Sequence, residues 1–284
     1  VSLAVQVQQL YNVLSQAFPS LSSSSSSSSA DNDDPIAVDV AGFSLGGRIA
    51  LAFTSTYPQY VRKLHLTGVS AGRDAYASLI LQSWKDVLQH PPPSSLAQNQ
   101  NNNDNNNNHA HDKMALKSFA WSALLHTYSS TFLSSRPSSM IQTWVEHISQ
   151  SNTRMGILSL LEQTHSQDEN DEWHNVNMAN KIHQSNYNRS KGSIQIVMGQ
   201  DDQMTTLKEV QRLQQLLLGC HENDVVQPPK VYENCGHAVP IGVKATATEE
   251  SQHSILYQTT NPGKSCWSSP FFSSMFLHTR FLLS

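Results

Sequence analysis

The chain has 284 residues, a formal net charge of −4 and 14% charged residues. That length suits one large α/β domain or two small ones. The charge balance gives no electrostatic case for nucleic acid or an anionic membrane surface as partner. The hydrophobic fraction of 38% is diluted by two polar homopolymer tracts. Cys220, Cys235 and Cys266 are odd in number and form no CxxC pair. A disulfide framework and a zinc site are therefore disfavoured, and a reducing, intracellular compartment is the default. No apolar run is long enough to span a bilayer.

Residues 3–18 carry Leu3, Val7, Leu10, Leu14 and Phe18 at helical spacing, which predicts an amphipathic helix. The serine run Ser22 to Ser29 and the DNDD patch after it have nothing to bury, so 20–34 reads as a solvated loop. IAVDVA (36–41) is a buried strand bounded by Pro35 and Gly42. Gly42 to Gly47 reads as a tight turn, and a helix follows from about Arg48 to Thr56. Residues 63–69 give the next strand and 75–88 a helix.

Pro91-Pro92-Pro93 and the asparagine tract Asn99 to Asn108 then predict a disordered surface insert over 91–112. Helices are expected at 114–133, 139–150 and 153–165, carrying Phe119, Trp121, Phe132, Trp144, Leu158 and Leu161. SIQIVMG (193–199) is a third buried strand, 205–218 a helix with Leu207, Val210, Leu213 and Leu217 on one face, and PKVYE (229–233) a fourth strand. Strands alternating with helices mean an α/β, doubly wound, mostly parallel sheet. Residues 251–284 keep no period; they are read either as a final helix or as an irregular tail from a mis-spliced or frame-shifted end.

The chemistry concentrates in Gly42-Phe43-Ser44-Leu45-Gly46-Gly47, a G-x-S-x-G pattern between a buried strand and a helix. A serine on such a strand-to-helix turn needs small neighbours, because its backbone is crowded. The turn lifts the hydroxyl above the carboxyl ends of the strands. It also aims the N-terminus of the new helix, beginning with the Leu45 backbone N–H, at a developing oxyanion.

The stretch IAVDVAGFSLGGRIALAFTSTYPQYVRKLHLTGV resembles the elbow region of the α/β-hydrolase superfamily, including its Y-P-x-x-V-x-x-L continuation. The resemblance runs from residue 3 to roughly 245, outside the low-complexity inserts. It implies the doubly wound α/β-hydrolase sheet with a helical lid. The implied layout is 1–71 as the first part of the core, 72–190 as the lid and 191–250 as the second part of the core.

A serine hydroxyl needs a base in reach, and the base needs an orienting carboxylate. The family order is serine, acid, histidine. Gly199-Gln200-Asp201-Asp202 follows a buried strand, and the family's G-x-x-D turn points to Asp202, with Asp201 its solvated neighbour. Asp74 is nearest to a second acid position used in some relatives. Gly236-His237 follows the last strand in the family's G-H pattern, which makes His237 the expected base. His109 and His111, with only Asp104 and Asp112 near them, lack the three or four stiffly held ligands of a metal site, so we expect neither metal nor cofactor. Cys235 is read as a small buried residue rather than a nucleophile.

The chain opens on Val1, only a helix and a low-complexity loop precede the strand that leads to Ser44, and no H-G pair lies upstream. Family members carry their first strands and a second oxyanion donor in that region, so we expect the natural gene product to be longer. Without that donor, rate is expected to fall on the order of 100-fold. Trp84, Trp121, Trp144, Met140 and Leu158 are candidates to line a substrate pocket, with helix-packing core as the alternative at each. The resemblance implies a serine hydrolase forming an acyl-enzyme from a small ester-like substrate, a carboxylic ester, thioester or amide. GFSLGGRIALAF with YPQYVRKL is also similar to the menaquinone-pathway synthase that eliminates pyruvate on the same triad. A non-catalytic binding protein on the hydrolase fold is the third alternative.

Overall fold

In the computed structural model the described residues are 2–18, 37–90, 104–165, 170–185, 187, 193–218 and 229–239. The serine-rich loop, residues 99–103 of the asparagine tract and the tail 251–284 lie outside them. The chain opens with α1 (Leu3–Ala17), whose N-terminus is capped by the Ser2 hydroxyl accepting from the Val5 amide. Val7, Leu10 and Leu14 form its buried stripe, at the spacing read from the sequence. Tyr11 stacks on Tyr57 with ring centroids 4.6 Å apart, fastening α1 beside the end of α2 (Leu45–Thr56).

Four strands, β1 (Val38–Phe43), β2 (Val61–Thr67), β3 (Ser193–Gly199) and β4 (Lys230–Tyr232), pair in the order β1-β2-β3-β4. Every pairing is parallel. All the carboxyl ends therefore lie on one rim, and β1 is an edge of the described sheet. Val38, Val40, Leu64, Leu66, Ile194, Ile196 and Met198 point to one face and are buried. They pack with α1, α2, α8 (Asn175–Gln184) and α9 (Leu207–Leu218) into a single core. Each such side chain contributes roughly 1.5–3 kcal/mol on leaving water. The alternate positions are more polar. There His65 Nδ1 lies 2.8 Å from Gln195 Oε1 on the neighbouring strand, and the buried Asp39 pairs with Arg62 at 2.7 Å.

Between β2 and β3 the chain adds α3 (Ala75–Gln89), α4 (Asp104–Thr127), α5 (Ser130–Ser134), α6 (Ser138–Ser151) and α7 (Arg154–His165) before α8. These five helices have their own core, built on Ile80, Trp84, Phe119, Leu124, Trp144 and Ile148. Tyr128, Phe132 and Trp144 stack in its centre. Arg154 ties three helices together: it donates to the Leu88 carbonyl and pairs with Asp112 at 2.9 Å.

Three differences from the sequence expectation have physical causes. Helix α4 begins at Asp104, inside the span expected to be disordered, because extending a helix already nucleated by an apolar stripe requires no new nucleus. The helix expected over 114–133 is two helices, since Ser129 ends one run and caps the next. Helix α8 was not anticipated: NVNMANKIHQ offers only Met178, Ala179 and Ile182 as buried positions. It packs with the sheet, not with α3 to α7.

Candidate active site

Ser44 sits between the last residue of β1 and the first of α2, with φ 51°. Such a left-handed backbone is strained in a residue with a side chain. Two close approaches make the turn possible. A Cβ on Gly42 would overlap the Gly46 carbonyl, and one on Gly47 would overlap the Val69 side chain. The Ser44 amide extends the ladder by donating to the Thr67 carbonyl at 2.8 Å, and its own carbonyl accepts from the Arg48 amide at 3.0 Å, closing the first helical turn. The Leu45, Gly46 and Gly47 amides at the start of α2 have no intrahelical acceptor by geometry. The Ser44 hydroxyl does not cap its helix, so it remains available for another partner.

That partner is His237, whose Nε2 lies 2.9 Å from Ser44 Oγ. On the other side of the ring, Nδ1 lies 2.9 Å from Asp202 Oδ2. An ionised carboxylate can only accept, so Nδ1 carries the proton and Nε2 is left to accept from the serine hydroxyl. The imidazole is itself held from two sides. Its ring centroid is 5.3 Å from that of Phe43, and Gly68, with φ +62°, allows the ring to lie over bare backbone.

Asp202 is fully buried, with a side chain 0% exposed. Its Oδ1 accepts from the Met204 and Thr205 amides, both at 2.8 Å. Its Oδ2 accepts from the Thr205 hydroxyl as well as from His237. Burial pushes this carboxyl upward. Attraction to the charged form of His237 and these hydrogen bonds outweigh it, and hold Asp202 below the usual carboxylate range. The acid and histidine loops are also joined through the backbone. Gln200 N donates to the Tyr232 carbonyl at 2.9 Å and Asp201 N to the Cys235 carbonyl at 2.8 Å.

The structure thus brings Ser44, Asp202 and His237 together from three strand ends far apart in sequence. The other candidates lie elsewhere. Asp74 caps α3 by accepting from the Ala77 amide at 2.8 Å, and Asp201 is exposed. Cys235 is buried, and burial followed by the nearby Asp201 carboxylate pushes its thiol upward, away from nucleophilic character. Trp84, Trp144 and Leu158 are buried in the helical core, Met140 packs against it and Trp121 is 42% exposed. None of the five lines the cavity of about 430 Å³ that opens beside Asp202 between Leu125, Tyr128, Ser129, Leu133 and Gln203. Sequence reasoning missed Thr205, Phe43 and Gly68. The Asp-x-x-Thr spacing in the loop before α9 is the one signal that would have singled out Thr205 as a partner of Asp202.

Gly68→Ala tests how tightly the imidazole is seated. The new Cβ would lie 2.9 Å from His237 Cε1 and 3.3 Å from the Phe43 ring. Left-handed backbone alone adds about 1–2 kcal/mol of strain to a non-glycine residue. We expect a lower melting temperature. We also expect the His237 imidazole to be displaced from Ser44 Oγ, read as a shifted His237 ring resonance by NMR. An unchanged resonance would show that the ring has room to spare.

A family model described as alpha/beta hydrolase fold matches residues 33–242. Among solved structures, an alpha/beta hydrolase enzyme from a Medee basin deep-sea metagenome library aligns with 85% of this chain at TM-score 0.51 and 16% identity. An acetylester hydrolase from Corynebacterium glutamicum aligns with 69% at TM-score 0.51 and 12% identity. The chain spans 67% of the first of these proteins and 54% of the second. At these identities the likeness is one of fold. No protein with curated annotation matches the sequence. The family match over most of the chain, with an elbow serine on a parallel sheet, makes this chain a member of the alpha/beta hydrolase fold family.

Proposed function

We propose that this chain is a serine hydrolase that cleaves small carboxylic esters, or chemically related thioesters or amides, through an acyl-enzyme. The observation that carries the reading is the relay from Asp202 through His237 to Ser44, with 2.9 Å at each step. In this scheme His237 takes the hydroxyl proton as Ser44 Oγ attacks the carbonyl carbon, and Asp202 stabilises the imidazolium. The tetrahedral oxyanion forms above the start of α2, where the Leu45 backbone N–H donates to it. His237 then protonates the leaving alcohol, and water repeats the sequence to release the acid. The buried carboxylate remains ionised throughout, as its depressed pKa requires.

The test is turnover of nitrophenyl esters of short and medium chain length by the purified chain. Saturable hydrolysis with a burst of nitrophenol equal to the enzyme concentration is the expected result. A folded protein that acylates none of these esters would overturn ester hydrolysis. Among the described residues no helix is long and apolar enough to cross a membrane.

A further inference from the structure

We propose that the break between α4 and α5 is a clamp on the histidine loop, with Ser129 as a positioning residue for His237. This rests on the serine-hydrolase reading and adds a residue to it. The Ser129 side chain donates to the Asn234 carbonyl at 2.6 Å, across 105 residues of sequence. It also accepts from the Phe132 amide at 3.2 Å, so one buried hydroxyl caps α5 and holds the loop. Asn234 is where the loop needs holding, since its φ is 56° in a non-glycine residue. Two residues before Ser129, the Thr127 carbonyl accepts from the Ala238 amide at 2.8 Å. His237 is therefore bracketed by hydrogen bonds to the same short stretch of helix junction.

The packing between the two segments leaves no slack. A Cβ on Gly236 would lie 2.7 Å from the Thr127 carbonyl oxygen and 2.8 Å from the Ser129 nitrogen. Ala238 and Met204, which flank the base and the acid, are buried in the helical core and not in the sheet core. The helices inserted between β2 and β3 therefore fix the histidine at the height of the Ser44 hydroxyl. An imidazole displaced by about 1 Å loses on the order of 100-fold in rate, so a clamp of this kind matters to the chemistry.

The experiment compares wild type, Ser129→Ala and Ser129→Thr by amide hydrogen exchange over 234–239 and by the rate at which a fluorophosphonate labels Ser44. Ser129→Ala is expected to fold, to exchange the Ala238 amide about tenfold faster and to label about tenfold more slowly. Ser129→Thr keeps the hydroxyl and is expected to restore both. A folded Ser129→Ala with wild-type exchange and labelling overturns the proposal. Faster exchange with unchanged labelling also overturns it, because the contact would then hold the loop without positioning the base. Should Ser129→Ala fail to fold, Gly236→Ala applies the same two readouts by pressing a methyl group into the junction; unchanged values there overturn the clamp. A wild type that never labels refutes the serine-hydrolase reading instead, and the exchange at Ala238 still decides whether the loop is clamped.

Discussion

Ser44→Ala is expected to lower kcat for nitrophenyl ester hydrolysis on the order of 10⁶-fold while leaving the fold intact. The size follows from the role. With the hydroxyl removed, no covalent intermediate forms, and only the binding surface and the amides at the start of α2 remain to favour attack by water. Stability should change little, because the hydroxyl caps no helix and its described partner is His237 Nε2. The substitution leaves the strained φ of 51° in place, since alanine, like serine, carries a Cβ. A melting curve beside the kinetics separates loss of chemistry from loss of fold. Activity that survives within tenfold of wild type would remove Ser44 from the mechanism.

Asp202→Asn carries the second large effect, a fall in kcat of about 10⁴-fold. An amide in this position would turn its NH₂ or its oxygen toward His237 Nδ1, and the amides of Met204 and Thr205 already claim an acceptor. The imidazole then loses the carboxylate that fixes its tautomer, and Nε2 no longer dependably accepts from Ser44. The substitution also changes stability with pH. The Asp202 carboxyl is depressed in the folded state, so its stabilising contribution is fully present above the unfolded value near 3.8 and is lost as pH falls through the lower folded value. The stability gap between wild type and Asp202→Asn is therefore expected to be widest near neutral pH and to shrink below about pH 4. Denaturant unfolding at several pH values measures it, and a gap independent of pH would show that the buried charge does not stabilise the fold.

Most of what positions the site was legible because sterics and order write it into the residue pattern. G-x-S-x-G between an apolar β-branched run and a helix records a turn that tolerates no Cβ at Gly42. Gly199-Gln200-Asp201-Asp202 and Gly236-His237 each follow a strand whose apolar run is visible. The parts that stayed hidden depend on contacts distant in sequence. Nothing within NVNMANKIHQ reveals that Met178, Ala179 and Ile182 meet the sheet core, so α8 could not be read. The apolar period runs through Leu124, Tyr128 and Phe132 without interruption, and it hides the break that the Ser129 hydroxyl makes by capping one helix and binding Asn234. Gly68 and Phe43 look like ordinary strand-end residues until His237, brought from the far end of the chain, lies against both.

In the proposed mechanism Ser44 Oγ is the nucleophile, activated by His237. The most direct measurement is mass spectrometry of the chain after brief exposure to a fluorophosphonate, with the adduct mapped by peptide, in wild type and in His237→Gln. A single adduct on Ser44 is expected in wild type, with a labelling rate lower by about 10³-fold or more once the histidine is replaced. An adduct on another residue, or labelling of Ser44 at the same rate without His237, would contradict that mechanism.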